Sequence, residues 1–147
     1  MMGTVEQLLA DKGYKIWSVS PEDTVFDAIK LMAEKDIGAV PVLLSGKLVG
    51  ILSERDYTRK VILQDRSSKN TQVMEIMTPD VFHITPAMSI DECMRMMSQR
   101  HFRHLPVVLD SELIGMISIT DVIKAIIDEQ KSKIEQLEHN ISWGESY

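Results

Sequence analysis

Apolar and polar positions along this chain follow two periods, and the switch between them comes twice. Val25, Ala28, Ile29 and Met32 fall at helical spacing behind Thr24, which predicts a helix capped by that threonine. Before it, Trp17-Ser18-Val19 predicts a short strand stopped by Pro21. After it, apolar runs over residues 39–44 and 48–52 flank Ser45-Gly46-Lys47, the pattern of a hairpin around a glycine-bearing turn. Pro41 lies inside the first run and cannot donate to a ladder, so it is expected at a sheet edge or where the strand starts.

The same order of strand, helix, strand, strand, helix returns 65 positions later without a gap. Pro86 follows Pro21 at that distance, as Met97 follows Met32, Pro106-Val107 follow Pro41-Val42, and Leu113, Gly115, Ser118 and Asp121 follow Leu48, Gly50, Ser53 and Asp56. Ser89, Ile90, Cys93, Met94 and Met97 restate the capped helix, and runs over 105–109 and 113–117 around Asp110-Ser111-Glu112 restate the hairpin. Ser89 with Glu92 fits the reciprocal capping box, and Thr24 with Asp27 is a weaker version. The expected fold is α/β (α+β), a pseudo-twofold tandem of two βαββα modules over residues 16–72 and 73–128, joined through the polar stretch 64–70. A helical segment over 1–15 precedes them, and a helix extension over 129–147 follows.

That last helix carries Val122, Ile123, Ile126, Ile127, Ile134, Leu137 and Ile141 at helical spacing, with a polar patch between Asp128 and Lys133. Beyond Gln130 its stripe needs a partner, either the amino-terminal helix around Val5, Leu8 and Leu9 or another subunit. Trp143 and Tyr147 read equally as a frayed end or a docking hook.

Composition narrows the function. With 44% apolar and 26% charged residues over 147 positions, the chain can build a packed core. A net charge of −6 argues against nucleic acid as the main partner, and no apolar run approaches the roughly 18 residues a bilayer span needs, so a cytoplasmic protein is expected. Cys93 is the one cysteine, which excludes an intrachain disulfide and a multi-thiolate zinc site; it aligns with Ala28 on an apolar helix face and reads as an inert core thiol. His101 and His104 lie three apart with no carboxylate at a convincing spacing, so no metal is predicted. The ten methionines read as core filling. No Walker loop, Rossmann fingerprint or nucleophile with a matched base is visible.

Each hairpin leads into the same stretch, Gly50-Ile51-Leu52-Ser53-Glu54-Arg55-Asp56 and Gly115-Met116-Ile117-Ser118-Ile119-Thr120-Asp121. Two readings fit. Ser53 to Asp56 and Ser118 to Asp121 match the capping box and could simply start helices. Alternatively, hydroxyls and amides at a helix start suit a phosphate, and a carboxylate can accept both hydroxyls of a ribose. Gly50 and Gly115 would then let a base approach the backbone, or else relieve a packing clash.

A strand ending in Ser/Thr-Pro, a helix, an apolar-Pro-Val step and Gly-apolar-apolar-Ser-x-x-Asp, twice over, resembles a tandem pair of CBS (cystathionine β-synthase) domains from Ile16 to Val122. The resemblance implies two modules packed through their sheets, with a cleft between them for adenosyl ligands. It implies Asp56 and Asp121 as ribose positions, Ser53, Ser118 and Thr120 near phosphate or ribose, and Val40, Leu105, Val19 and Ile84 around the base. Basic residues before the apolar-Pro step commonly meet phosphate in this family, which implicates Arg103 and His104; Gly38-Ala39 offer no such donors. The first module instead carries Arg55, Arg59 and Lys60, and a cleft combining Asp56 and Arg55 with Arg103 and His104 is expected.

The expected function is a non-catalytic regulatory module binding AMP or NAD, with ADP or ATP as further ligands. It would act as a homodimer and signal to an unidentified partner protein. The alternatives are an assembly scaffold with non-functional clefts and an enzyme acting on a nucleotide. A basic ligand set favours a phosphate-bearing ligand over the sulfonium of S-adenosylmethionine.

Overall fold

The structure is a computed structural model that describes residues 3–145. In chain order it holds α1 (Val5–Lys12), α2 (Val25–Lys35), β1 (Ala39–Leu44), β2 (Lys47–Ser53), α3 (Glu54–Tyr57), a π turn (Thr58–Ile62), α4 (Val73–Ile76), α5 (Ile90–Arg100), β3 (His104–Leu109), β4 (Glu112–Ser118) and α6 (Ile119–Glu145). The two antiparallel hairpins β1–β2 and β3–β4, each with helices before and after, give the expected mixed fold. The residues gather into two units. One is Tyr14–Ile84 with Leu105–Met116; the other takes in Thr85–His104 and the described residues up to Gly13 and from Ile117 on.

In the first unit α2 starts where its cap dictates. Thr24 is extended, and its hydroxyl accepts from the Asp27 amide at 3.1 Å. The helix buries Val25, Ala28 and Met32 and stops at Asp36, which adopts the left-handed conformation with φ 54°. Val19, Val40, Val42, Leu52, Val61, Val73 and Ile76 complete that core. The β1–β2 turn is two residues rather than three, since Leu44 sits opposite Lys47. Ser45 and Gly46 both have positive φ, the mirror-image turn whose twist matches that of the strands. Asp110 and Ser111 repeat this turn between β3 and β4.

The expected strand at Trp17-Ser18-Val19 does not form. Val19 makes one parallel bridge to Val42, its amide donating to the Pro41 carbonyl at 3.1 Å and its carbonyl accepting from the Leu43 amide at 2.9 Å. The next rung on either side would need an N–H from residue 41 or residue 21, and both are proline. Ile84 does the same against Val107, with Pro106 and Pro86 removing the flanking rungs. Pro41 is therefore not at a free edge. Its nitrogen faces the side of Val19, while Ile51, opposite on β2, donates its N–H to the Thr78 carbonyl at 3.0 Å and accepts at its own carbonyl from the Thr78 amide at 2.9 Å.

In the second unit Ser89 caps α5, its hydroxyl accepting from the Glu92 amide at 3.1 Å, and α5 buries Ile90, Cys93 and Met97 before ending at left-handed His101. The amino-terminal segment is built into this unit. Thr4 bridges Ser89, the Val5 and Glu6 amides donate to the Met88 and Pro86 carbonyls at 2.9 and 3.0 Å, and the Ile90 amide donates to Gly3. In the first unit Gln72 bridges Thr24 with the same pattern: the Val73 and Met74 amides donate to Asp23 and Pro21, and the Val25 amide donates to Thr71. Residues 71–74, 68 positions after residues 3–6, thus repeat their structural task.

The start of α6 packs on α1 and α5 and buries Val122, and α1 buries Val5, Leu8 and Leu9. From residue 131 to 141 every side chain of α6 is exposed. Tyr147 lies outside the described residues, and Trp143 is described by its helical backbone alone.

Candidate functional site

Two clusters grow from the repeated Ser-x-x-Asp stretch, one in each unit. In the first, Ser53 is the extended last residue of β2 and starts α3. Its hydroxyl accepts from the Asp56 amide at 3.1 Å, and Asp56 Oδ2 accepts from the Ser53 amide and hydroxyl at 2.9 and 3.0 Å. Lys60 Nζ lies 3.2 Å from Asp56 Oδ1 and also donates to the Ile76 carbonyl at 3.0 Å. The Asp56 carboxylate thus works as a cap on one oxygen and an ion pair on the other. Arg55 and Arg59 are exposed beside it.

In the second, the Ser118 amide donates to Asp121 Oδ2 at 2.8 Å, and the Asp121 amide donates back to the Ser118 hydroxyl at 3.1 Å. Lys12, at the end of α1, donates to the same Oδ2 at 2.6 Å. Arg103, exposed, accepts at its carbonyl from the Ile119 amide at 2.8 Å, which fixes the residue before β3 against the start of α6. His104 is half-buried between these groups, and Thr120 is exposed on the first turn of the helix.

The charges act on one another. Burial, followed by the positive charges of Lys12 and Arg103, holds His104 below its ordinary pKa, and the Asp121 carboxylate opposes this only in part. His104 is therefore a neutral imidazole near pH 7, a hydrogen-bonding group rather than a third cation. Burial pushes the Asp121 carboxyl up, but the bonds from Lys12 and the Ser118 amide together outweigh it and keep the group ionised. The cluster presents one carboxylate, a lysine and an arginine, one neutral imidazole and two hydroxyls.

The sequence-derived base positions are apolar and interior. Val40, Leu105, Val19 and Ile84 are all buried, and the backbone N–H and C=O of Val19 and Ile84 are already committed to their neighbouring strands. For Val19 and Ile84 this leaves packing as what they offer. Gly50 has a structural reason of its own: a Cβ there would lie 2.5 Å from Met77 Sδ and 3.1 Å from the Thr78 carbonyl. Arg103 and His104 fall in the unit of Asp121, and Arg55 in the unit of Asp56.

Lys12 is the functional candidate that sequence reasoning misses. It stands 109 residues from Asp121, and no local pattern links them. The faint signal that could have found it is an apolar pattern at an offset of 68, which lays Val5, Leu8 and Leu9 on Val73, Ile76 and Met77 and goes with the shared backbone bonding of the two segments. Elsewhere, Cys93 is buried, and its thiol is pushed up to about 11, mainly by burial and secondarily by Glu92. Among the described residues no group of three or more His, Cys, Asp or Glu is placed to hold a metal, and no helix is long and apolar enough to cross a membrane.

Comparison with known proteins bears on both clusters. The family model of the CBS domain matches residues 10–62 and 73–128. The CBS domain-containing protein CBSX3, mitochondrial, of Arabidopsis thaliana is 37% identical over 96% of this chain and 73% of its own length. A solved structure of a protein with CBS domains from Burkholderia ambifaria MC40-6 is 52% identical with a TM-score of 0.83, covering 86% of this chain and 96% of that one. The CBS domain pair of protein MJ0100, solved in complex with 5′-methylthioadenosine and S-adenosyl-L-methionine, shares the fold with a TM-score of 0.78 at 22% identity, over 88% of this chain and 99% of its own.

Proposed function

This chain belongs to the CBS domain family, whose stand-alone pairs are generally regulatory and non-catalytic, and from that premise we propose that it is a sensor of a phosphate-bearing adenosyl ligand, AMP or NAD, with ADP and ATP as further candidates. It works as a homodimer and passes ligand occupancy to a partner protein.

The observation that carries this reading is the second cluster, where an ionised carboxylate is bonded to Lys12 and His104 lies under the charges of Lys12 and Arg103. A ribose diol donates to Asp121, replacing Lys12 as its partner, and the released ammonium with the Arg103 guanidinium meets the phosphate. Ser118 and Thr120 supply hydroxyls at the same helix start. Adenosyl ligands in the MJ0100 pair lend support at the level of the fold. Signalling then requires only that ligand bind one conformation better than another.

Phosphate beside His104 would add a negative charge and raise its pKa, so binding should draw a proton onto the imidazole. Calorimetry with AMP, NAD and S-adenosylmethionine in two buffers of different ionisation heat tests this. The expectation is saturable binding of AMP or NAD with proton uptake near pH 6.5, lost in Asp121→Ala and absent for adenosine. No heat from any adenine ligand would refute the sensor.

A second reading, an assembly scaffold, has its own observation: Ser53 and Asp56 spend their bonds on the cap and on Lys60. Binding that is abolished in Asp121→Ala and untouched in Asp56→Ala would assign that structural role to the first cluster alone.

A further inference from the structure

The apolar stripe of α6 has a register. Ile123, Ile127, Ile134, Leu137 and Ile141 are between 41% and 60% exposed, and with Gln130 they are spaced 4, 3, 4, 3, 4 along the helix. That is the alternation of the two seam positions of a heptad, sustained over almost three repeats. Ile127, Ile134 and Ile141 fall at the first seam position, and Ile123, Gln130 and Leu137 at the second. The stripe is narrow, as a two-helix seam is, and differs from the broad face a helix lays against a globular core. It is also distinct from the face carrying Val122, which is already buried inside the unit.

Nothing among the described residues covers the far half of this helix, where residues 131–141 are all exposed. An isolated stretch of that length is marginal in water, and Ile, Ser, Asn and His are not strong helix formers. The charges flanking the seam indicate the occupant. Lys133 precedes Ile134 and Glu138 follows Leu137, the two positions that face each other across a parallel pair of helices. In a parallel pair Lys133 of each copy meets Glu138 of the other; an antiparallel pair would set like against like. β-Branched Ile at the first position with Leu137 at the second favours two parallel strands, and Gln130, the one polar seam residue, keeps its amide hydrogen-bonded when it faces its counterpart, which favours the in-register pairing. Between Asp128 and Glu138 four carboxylates outnumber two lysines, Lys131 and Lys133, which disfavours an anionic lipid surface.

We propose that α6 of two copies of this chain forms a parallel two-stranded coiled coil from Ile123 to Ile141, registered by Gln130 and by reciprocal Lys133–Glu138 pairs. This rests on the homodimer reading above and names its seam. Light scattering on the full chain is expected to give the mass of two chains. Leu137→Cys should then form an interchain disulfide under mild oxidation, because equivalent seam positions meet only in the parallel arrangement; Cys93 does not compete, being buried. Lys133→Glu should weaken the dimer about tenfold, and the double exchange Lys133→Glu with Glu138→Lys should restore it. The single variant also places like charges at Glu129 and position 133 within one helix, and the double exchange leaves these in place, so rescue reports the contact between copies. A dimer that neither cross-links at position 137 nor responds to the exchange overturns the seam and leaves the homodimer standing. A monomer overturns both, and one that floats with phosphatidylglycerol vesicles reassigns the stripe to lipid.

Discussion

The clusters around Asp56 and Asp121 come from the same repeated stretch and share the same cap, but they acquire their lysines by different routes. Asp56 pairs with Lys60, one helical turn ahead on its own segment. Asp121 pairs with Lys12, delivered by the amino-terminal helix from 109 residues away. The first pairing is local and forms whenever that turn forms. The second exists only when α1 is docked, so it couples a site to a long-range contact. A repeated motif can therefore be a self-contained brace in one module and an assembled, chemically richer cluster in the other.

Removing the carboxylates should separate the two most. Asp121→Ala is expected to lower the unfolding free energy by about 2 kcal/mol, the cap plus the anchor of α1, and Asp56→Ala by about 1 kcal/mol, the cap plus a local ion pair to half-exposed Lys60 that adds little. Urea denaturation measures both, and equal losses would mean that Lys12 contributes no more to the fold than Lys60 does.

A smaller effect should appear with pH. His104 has a folded pKa below the ordinary 6.5, so the unfolded chain binds the proton more readily. Stability is then full above that value and falls as pH drops from 6.5 through the folded pKa. Lys12→Met removes one of the charges holding His104 down, so its imidazole titrates higher and this acid loss shrinks. Following the imidazole by NMR in parallel with stability checks the sign; a His104 indifferent to Lys12 would break the link.

The smallest change should come from Cys93→Ala, which places the first module's Ala28 at the equivalent site of α5. Under about 1 kcal/mol is expected in the same denaturation assay. The native thiol should label slowly without denaturant, in keeping with its pKa of about 11.

What could be read from the chain was what depends on near neighbours. Thr24 and Ser89 start their helices as their patterns require, and the hairpins turn within a residue of where the apolar runs break. The strands before the helices were over-read, because the pattern reports apolarity while rung formation depends on four prolines at positions 21, 41, 86 and 106. The candidate site was half legible as a grouping: Ser118 bonds Asp121, and His104 lies under the charges of Asp121 and Arg103. That His104 sheds its charge follows from burial and from a lysine brought by tertiary structure, neither of which a sequence pattern encodes.

The docking of residues 3–6 on the start of α5 also bears on synthesis. Residues 3–6 find their partners at Pro86, Met88 and Ser89, so they must wait while the intervening module is made, a delay of several seconds at about 5–20 residues per second. The first module is therefore synthesised between two parts of the second. A cut just before α1 would wound the second module rather than the first, which lies nearer in sequence.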